Sequence, residues 1–188
     1  MNRTATLSDI DPGPACPEVV RMIVEIPKGS TNKYEYDAQL DVFKLDRTLY
    51  SPVHYPGDYG FVPGTKSDDG DPIDLVALVE QPSFTGCLIE VRPLGVLEMI
   101  DGEKTDLKIL GVPIGDPRFD QIRTIDEVPP HVRREFEHFF TIYKELEGKT
   151  VRIQGWKGLD AAHKAILTSR KCYLSLREEE VASSRTSR

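Results

Sequence analysis

The stretch "DGDPID", residues 69–74, places Asp69, Asp71 and Asp74 within six positions and runs directly into the apolar "LVALV". Like charges so close repel one another, so the stretch is either a solvated turn or a place where a cation sits among carboxylates. Asp-Gly and Asp-Pro are turn dipeptides, and a β-turn by itself accounts for the spacing equally well. A calcium loop of the EF-hand type does not. Glu80 falls at its twelfth position, but Ile73 stands at the fifth and Asp74 at the sixth, where glycine is required, and the flanks do not read as helices.

Other polar positions repeat the theme. In "VEIP" the alternation of a strand sends Glu25 to the face opposite Val24 and Ile26, and in "NKYEYD" it groups Lys33, Glu35 and Asp37 away from Tyr34 and Tyr36. Asp106 and Lys108 share one face of a further strand, with Asp101 across the preceding turn. Singly, each pattern is an ordinary solvated face. Repeated on neighbouring strands, acid-plus-lysine pairs suit a polyphosphate carrying hard divalent cations, which take carboxylate oxygens and are completed by phosphate, while Lys and Arg take the remaining phosphate charge. The four histidines, His54, His131, His138 and His163, are scattered without ligand spacing, and Gly57, Gly60 and Gly64 serve loop geometry, since no GxGxxG or P-loop surrounds them.

The elements that must hold these groups follow from pattern. "VVRMIVEIP" (19–27) reads as a strand ended by Pro27, and "NKYEYD" with "DVFKLDR" as a hairpin turning near 39–41. The Pro- and Gly-dense 55–65 is a shaped loop or short strand, and strands are expected at about 73–80, 86–99, 106–112 and 150–156. A first helix starts after Asp126 and closes at Gly148, with Val132, Phe136, Phe139, Phe140, Tyr143 and Leu146 on one apolar face. A second spans about 159–179, with Ala162, Ala165, Ile166, Cys172, Tyr173 and Leu176 inward. The expectation is an α+β protein, mainly β: one barrel domain over 19–179 with two flanking C-terminal helices, an extended arm over 1–18 and a disordered tail over 180–188.

Totals narrow the function classes. With 188 residues the chain is long enough for one sizeable core. Its 31 acidic against 24 basic residues, a net −7, speak against nucleic acid as partner and for cations or small charged ligands. No apolar run approaches the ~20 residues of a membrane span, and the N-terminus lacks an apolar signal core. Three widely spaced cysteines, Cys16, Cys87 and Cys172, fit reduced thiols. A cytoplasmic location without membrane association is expected.

Five stretches, "EIPKGSTNKYEYD", "YPGDYGFVPGT", "DGDPIDLVALVEQP", "RPLGVLEMIDGEKTDLKILGVP" and "HFFTIYKELEGK", together resemble the soluble family I inorganic pyrophosphatases, in the compact prokaryotic form and over residues 20–157. The resemblance implies an OB-like five-stranded barrel, assembly as a homo-hexamer, and hydrolysis of pyrophosphate with several Mg²⁺ ions per site, Mn²⁺ or Zn²⁺ being possible substitutes. It also implies roles. Asp69, Asp74 and Asp106 match tight metal ligands, Asp101 a ligand of a substrate-borne metal, and Glu25 and Glu35 acidic residues holding metals or their waters. Asp71 matches the proton acceptor, and Tyr59 is placed with it among catalytic positions. Lys33, Arg47, Lys108, Tyr143 and Lys144 match phosphate ligands, while Tyr55 and Tyr59 match tyrosines lining the site. Where the family often carries a second histidine four residues after His138, this chain has Ile142.

The mechanism expected is in-line attack on pyrophosphate by a metal-bridged hydroxide, with Asp71 taking its proton. Two other readings stand beside it. An OB-type nucleic-acid-binding module would show aromatics on a basic groove rather than clustered aspartates. A hydrolase of other polyphosphates differs in the anion it accepts.

Overall fold

A computed structural model describes residues 6–67 and 70–186. Eight strands follow a short 3-10 turn at Leu7–Asp9: β1 (Val20–Ile26), β2 (Asn32–Asp37), β3 (Val42–Thr48), β4 (Asp58–Phe61), β5 (Asp74–Ala77), β6 (Leu88–Asp101), β7 (Lys104–Pro113) and β8 (Val151–Lys157). Helix α1 (Pro130–Ile142) lies between β7 and β8, and α2 (Leu159–Thr186) ends the described chain. The main sheet runs β1-β4-β5-β7-β6-β8, and β1 also pairs with β6. That extra pairing closes β1, β4, β5, β7 and β6 into the five-stranded ring expected, with β8 as a sixth strand on the outer edge of β6. Strands β2 and β3 form a separate hairpin.

Closure depends on local chemistry. β1 is rich in β-branched and apolar residues, and Val20, Met22, Ile23, Val24 and Ile26 are all buried. Gly60 sits where β4 crosses β1, and a Cβ there would run into the carbonyl of Ile23, so the two strands approach at a distance only glycine permits. β5 and β7 pair in parallel, setting Asp74 opposite Lys108. This parallel pair, made possible by the long β6–β7 meander, brings the acidic loop at 70–74 to the lysine strand.

Two apolar clusters carry the core. One sets Phe136, Phe139 and Phe140 of α1 against Leu94, Leu97, Met99, Tyr55 and Tyr59. The other sets Ala162 and Ile166 of α2 against Val20, Met22, Val24 and Leu75. Proline at the first turn starts α1, as proline there lacks only an N–H that has no partner anyway.

The strand and hairpin assignments agree with the sequence reading; the helix faces differ in part. α1 stops at Ile142, and a 3-10 turn at Glu145–Glu147 follows, closed by Gly148 in the left-handed region at φ 72°. The tighter winding turns Leu146 off the expected apolar face, leaving it 63% exposed. On α2, Cys172 and Leu176 are exposed rather than inward; the buried contacts of the helix lie nearer its start, at Ala162, Ile166 and Ser169. The tail expected from 180 begins inside α2, which continues to Thr186; Glu178, Glu179 and Ala182 are good helix formers and hold the winding without a core beneath them. Among the described residues, no helix is long and apolar enough to cross a membrane.

Candidate active site

The hairpin, the β5 and β7 ends, the turn after β6, and the C-terminal end of α1 surround an open cavity of about 730 Å³. Its lining includes Glu25, Lys33, Glu35, Tyr59, Asp71, Asp74, Asp101, Asp106, Lys108, Tyr143 and Lys144, all singled out above. Each arrives by a simple route. Glu25 lies at an irregularity of the β1–β4 register, Asp74 starts β5, and Asp106 and Lys108 are two apart on β7. Tyr143 caps α1 and Lys144 is the next residue.

Lysines and carboxylates interleave. The Lys108 ammonium, buried, bonds the Asp74 carboxylate, lies 2.7 Å from Asp106, and donates to the Tyr59 hydroxyl at 3.3 Å. Lys144 pairs with Asp101 and lies over the Tyr143 ring, 5.1 Å from its centre. Lys33 pairs with Glu35 and, at 3.3 Å, with Asp46. Lys44, across the hairpin, pairs with Asp37 at 2.8 Å.

Burial sets the protonation tendencies. Loss of solvent works against the Lys108 charge, yet Asp74 and Asp106 outweigh it and hold the ammonium above the ordinary lysine range. Asp74 is raised by burial, a push that Lys108 only partly cancels. Glu25 is pushed up to about 8, chiefly by burial, although the Tyr36 N–H donates to it at 2.8 Å. Tyr59 and Tyr143 are raised by burial and stay protonated donors.

These carboxylates fit hard cations. Glu25 and Asp74 are acids that burial disfavours as anions, a cost that a bound dication would offset. Among the described residues no three acidic, His or Cys side chains converge as a ready-made metal cage. A dication that keeps several waters and takes substrate oxygens needs only one or two carboxylates at a time. Asp69 lies outside the described residues.

Two expected residues do not line the cavity. Tyr55 is packed into the core against Phe139, ring centres 4.8 Å apart, and is almost fully buried. Arg47 sits on β3 between Asp46 and Glu147, its Nε 2.7 Å from Glu147, and its Nη2 is buried with no hydrogen-bond partner. That orphaned donor leaves capacity for an oxyanion. Tyr36, which alternation sets on the face opposite Lys33 and Glu35, stacks on Phe61 and also lines the cavity, its hydroxyl accepting from the Leu7 N–H at 3.0 Å. Sequence reasoning did not single out Ser8, Lys66, Leu176 or Arg177 for the site, although all of them line it. Lys66 and Arg177 carry a charge but lie in a loop and on a helix, outside the strands whose alternation marks the other site residues.

The site is therefore a barrel-end cavity in which carboxylates and ammonium groups alternate, the kind that takes a metal-bearing oxyanion. The sequence profile described as inorganic pyrophosphatase matches residues 22–174. The inorganic pyrophosphatase of Geobacillus stearothermophilus is 47% identical over 149 residues, covering 79% of this chain and 90% of that one. That of Methanosarcina acetivorans is 49% identical over 157 residues, covering 84% and 94%. The crystal structure of inorganic pyrophosphatase from Thermus thermophilus superimposes with a TM-score of 0.87 at 44% identity, covering 90% of this chain and 99% of that one. This chain belongs to the inorganic pyrophosphatase family.

Proposed function

We propose that this chain hydrolyses inorganic pyrophosphate to two orthophosphates in the cavity described, with Mg²⁺ bound by its carboxylates and Mn²⁺ or Zn²⁺ as possible substitutes. One observation carries the reading. Seven carboxylates (Glu25, Glu35, Asp37, Asp71, Asp74, Asp101 and Asp106) and six cations (Lys33, Lys44, Lys66, Lys108, Lys144 and Arg177) line a single cavity. A site of either sign alone would favour a bare cation or a bare anion; the mixture favours both together.

In this scheme Asp74, Asp106 and Asp101, with Asp69, hold dications, and Glu25 and Glu35 hold further ions or their waters. Dications, when bound, supply charge neutralisation on the phosphates and make water more acidic. The chain's own groups do the rest. Water attacks one phosphorus in line, its proton passes to the Asp71 carboxylate, and the bridging P–O bond breaks with its electron pair leaving on the second phosphate. Lys33, Arg47, Lys144 and the Tyr143 hydroxyl offset charge on that leaving group, while Lys108 and the Tyr59 hydroxyl bonded to it hold the first phosphate. Tyr55, packed on Tyr59 with ring centres 5.5 Å apart, helps to hold that ring in place.

The same reading includes a homo-hexamer in the cytoplasm, supported by the family resemblance. The test is phosphate release from pyrophosphate, a nucleoside triphosphate and tripolyphosphate, first with Mg²⁺ and then with chelator. Release from pyrophosphate above all, abolished by chelator, supports the proposal. Equal release from all three, or release that survives chelation, overturns it.

A further inference from the structure

The β2–β3 hairpin carries much of the cavity wall but is lightly built into the fold. Its strands form a sheet of their own, and none of their residues is fully buried. A lone two-stranded hairpin is marginal in water, so ties to other elements decide where Lys33, Glu35, Asp37 and Lys44 stand. Near its base Arg47 reaches Glu147. Towards its turn the ties converge on Tyr36. The Tyr36 N–H donates to Glu25 of β1 and its ring stacks on Phe61. Its hydroxyl donates to Asp41 in the turn and accepts from the Leu7 N–H at 3.0 Å.

That last bond comes from the arm before β1, outside the residues matched by the family profile. The 3-10 turn Leu7–Asp9 sends each of its 3 residues to a different element. Leu7 holds the hairpin, the Ser8 carbonyl accepts from the Gly64 N–H at 2.8 Å, and Asp9 accepts from the Tyr173 hydroxyl of α2 at 2.7 Å. Gly64 lies at φ 66°, and a Cβ there would meet the Ile10 carbonyl at 2.9 Å, so the loop after β4 comes as near the arm as glycine allows. Asp9 ties the turn together. Its side chain, 7% exposed, accepts from the Thr6 N–H at 2.9 Å and the Thr6 hydroxyl at 3.1 Å, and lies 3.8 Å from Arg177 Nη1. Donors from the arm on one side and from α2 on the other thus hold one enclosed carboxylate.

We propose that Asp9 is a positioning residue for the reaction: it fixes the Leu7–Asp9 turn to α2, and the turn, through Tyr36, fixes the hairpin that presents Lys33 to phosphate. The inference rests on the cavity being the pyrophosphate site. Asp9 does not itself line the cavity, so it acts on substrate only through the hairpin. Lys33 stands three residues before Tyr36 on the same strand. A swing of the hairpin therefore displaces its ammonium relative to Asp74, Asp106 and Lys108, which the barrel strands hold.

The experiment compares the full chain with Asp9→Ala, Asp9→Asn, Tyr36→Phe and the double variant Asp9→Ala/Tyr36→Phe, their folding checked by melting temperature. Tyr36→Phe keeps the ring on Phe61 and removes the hydroxyl alone. Asp9→Ala and Tyr36→Phe should each raise KM for pyrophosphate with Mg²⁺ by about three- to tenfold, the scale of one lost hydrogen bond. The change in kcat should be smaller, because Lys33 meets phosphate before cleavage as well as during it. Both substitutions cut one link, so the double variant should match the poorer single one rather than their product. Asp9→Asn still accepts from the Thr6 N–H and should recover part of the loss. A purely structural defect lowers the folded fraction, hence kcat, leaves KM alone and adds across the two positions. That pattern overturns the inference, as does a KM within error of the unaltered chain in every variant that folds; Tyr36→Phe decides where Asp9→Ala does not fold. Amide hydrogen exchange supplies a readout separate from turnover: protection over residues 32–48 should fall by about three- to tenfold in Asp9→Ala, and that over β6 and β7 should hold. An unaltered chain inert towards pyrophosphate removes the reading of the cavity instead, and unchanged exchange over 32–48 would then overturn the clamp as well.

Discussion

Glu25→Gln isolates the electrostatic cost of the cavity. Glu25 is partly buried against the hairpin backbone, where burial and, more weakly, Asp74 and Glu35 push its pKa from 4.5 to about 8, against the Tyr36 N–H and Lys33. The folded value lies above the unfolded one, so folding favours the protonated acid. That contribution is fully present below about pH 4.5 and is lost as pH rises to about 8. At 1.36 kcal/mol per pH unit the ceiling is about 5 kcal/mol, and because part of the side chain reaches solvent, about 2–3 kcal/mol is expected. Glutamine keeps an acceptor for the Tyr36 N–H and carries no charge. Urea unfolding in chelator should therefore show the variant gaining on the unaltered chain from about pH 5 to about pH 9, up to that 2–3 kcal/mol. Added Mg²⁺ should then raise the stability of the unaltered chain more than that of the variant. A difference independent of pH refutes the buried-charge argument, and an equal gain from Mg²⁺ refutes a place for Glu25 in the ion's surroundings.

Other substitutions probe neighbouring claims. Lys108→Met leaves Asp74 and Asp106 without their shared ammonium and should cost about 3 kcal/mol in metal-free protein near neutral pH; the loss should shrink on acidification, read by urea midpoints. Asp71→Asn should keep the melting temperature and lower turnover by about two to four orders of magnitude; near-normal rates with unchanged Mg²⁺ dependence would remove Asp71 from proton transfer. Asp58, 1% exposed, accepts from the Lys28 N–H and from the Ser83 N–H and hydroxyl. Asp58→Ala should cost about 3 kcal/mol through those stranded donors, and a melting temperature within a degree or so of the parent would contradict that role.

Much of this architecture is legible in the chain because it depends on short periods. A β-branched apolar run over residues 20–26 and alternation over 32–37 mark strands, and the Phe136, Phe139, Phe140 spacing marks the buried face of α1. Leu146 is misjudged because a change from α to 3-10 winding leaves no trace in apolar spacing. Closure of five strands into a ring depends on the β1–β6 pairing, a contact between residues nearly seventy positions apart; strand content suggests a barrel, but its five-stranded form comes from the family resemblance. The site divides in the same way. Acid-plus-lysine pairs within one strand, such as Asp106 and Lys108, are visible locally. The Lys66–Ser169 contact joins a loop to a helix a hundred residues on, and no local pattern encodes it. Asp58 carries no signal of its role, because a carboxylate serving backbone N–H groups looks in sequence like any turn aspartate.

Crystals of the active chain soaked in Mn²⁺ and measured for anomalous scattering, with pyrophosphate turnover assayed on the same ion, test the central claim most directly. Anomalous peaks within coordination distance of the Asp74 and Asp106 carboxylates, alongside Mn²⁺-dependent turnover, are the predicted result. A cavity without such peaks in protein that still turns over pyrophosphate would contradict it.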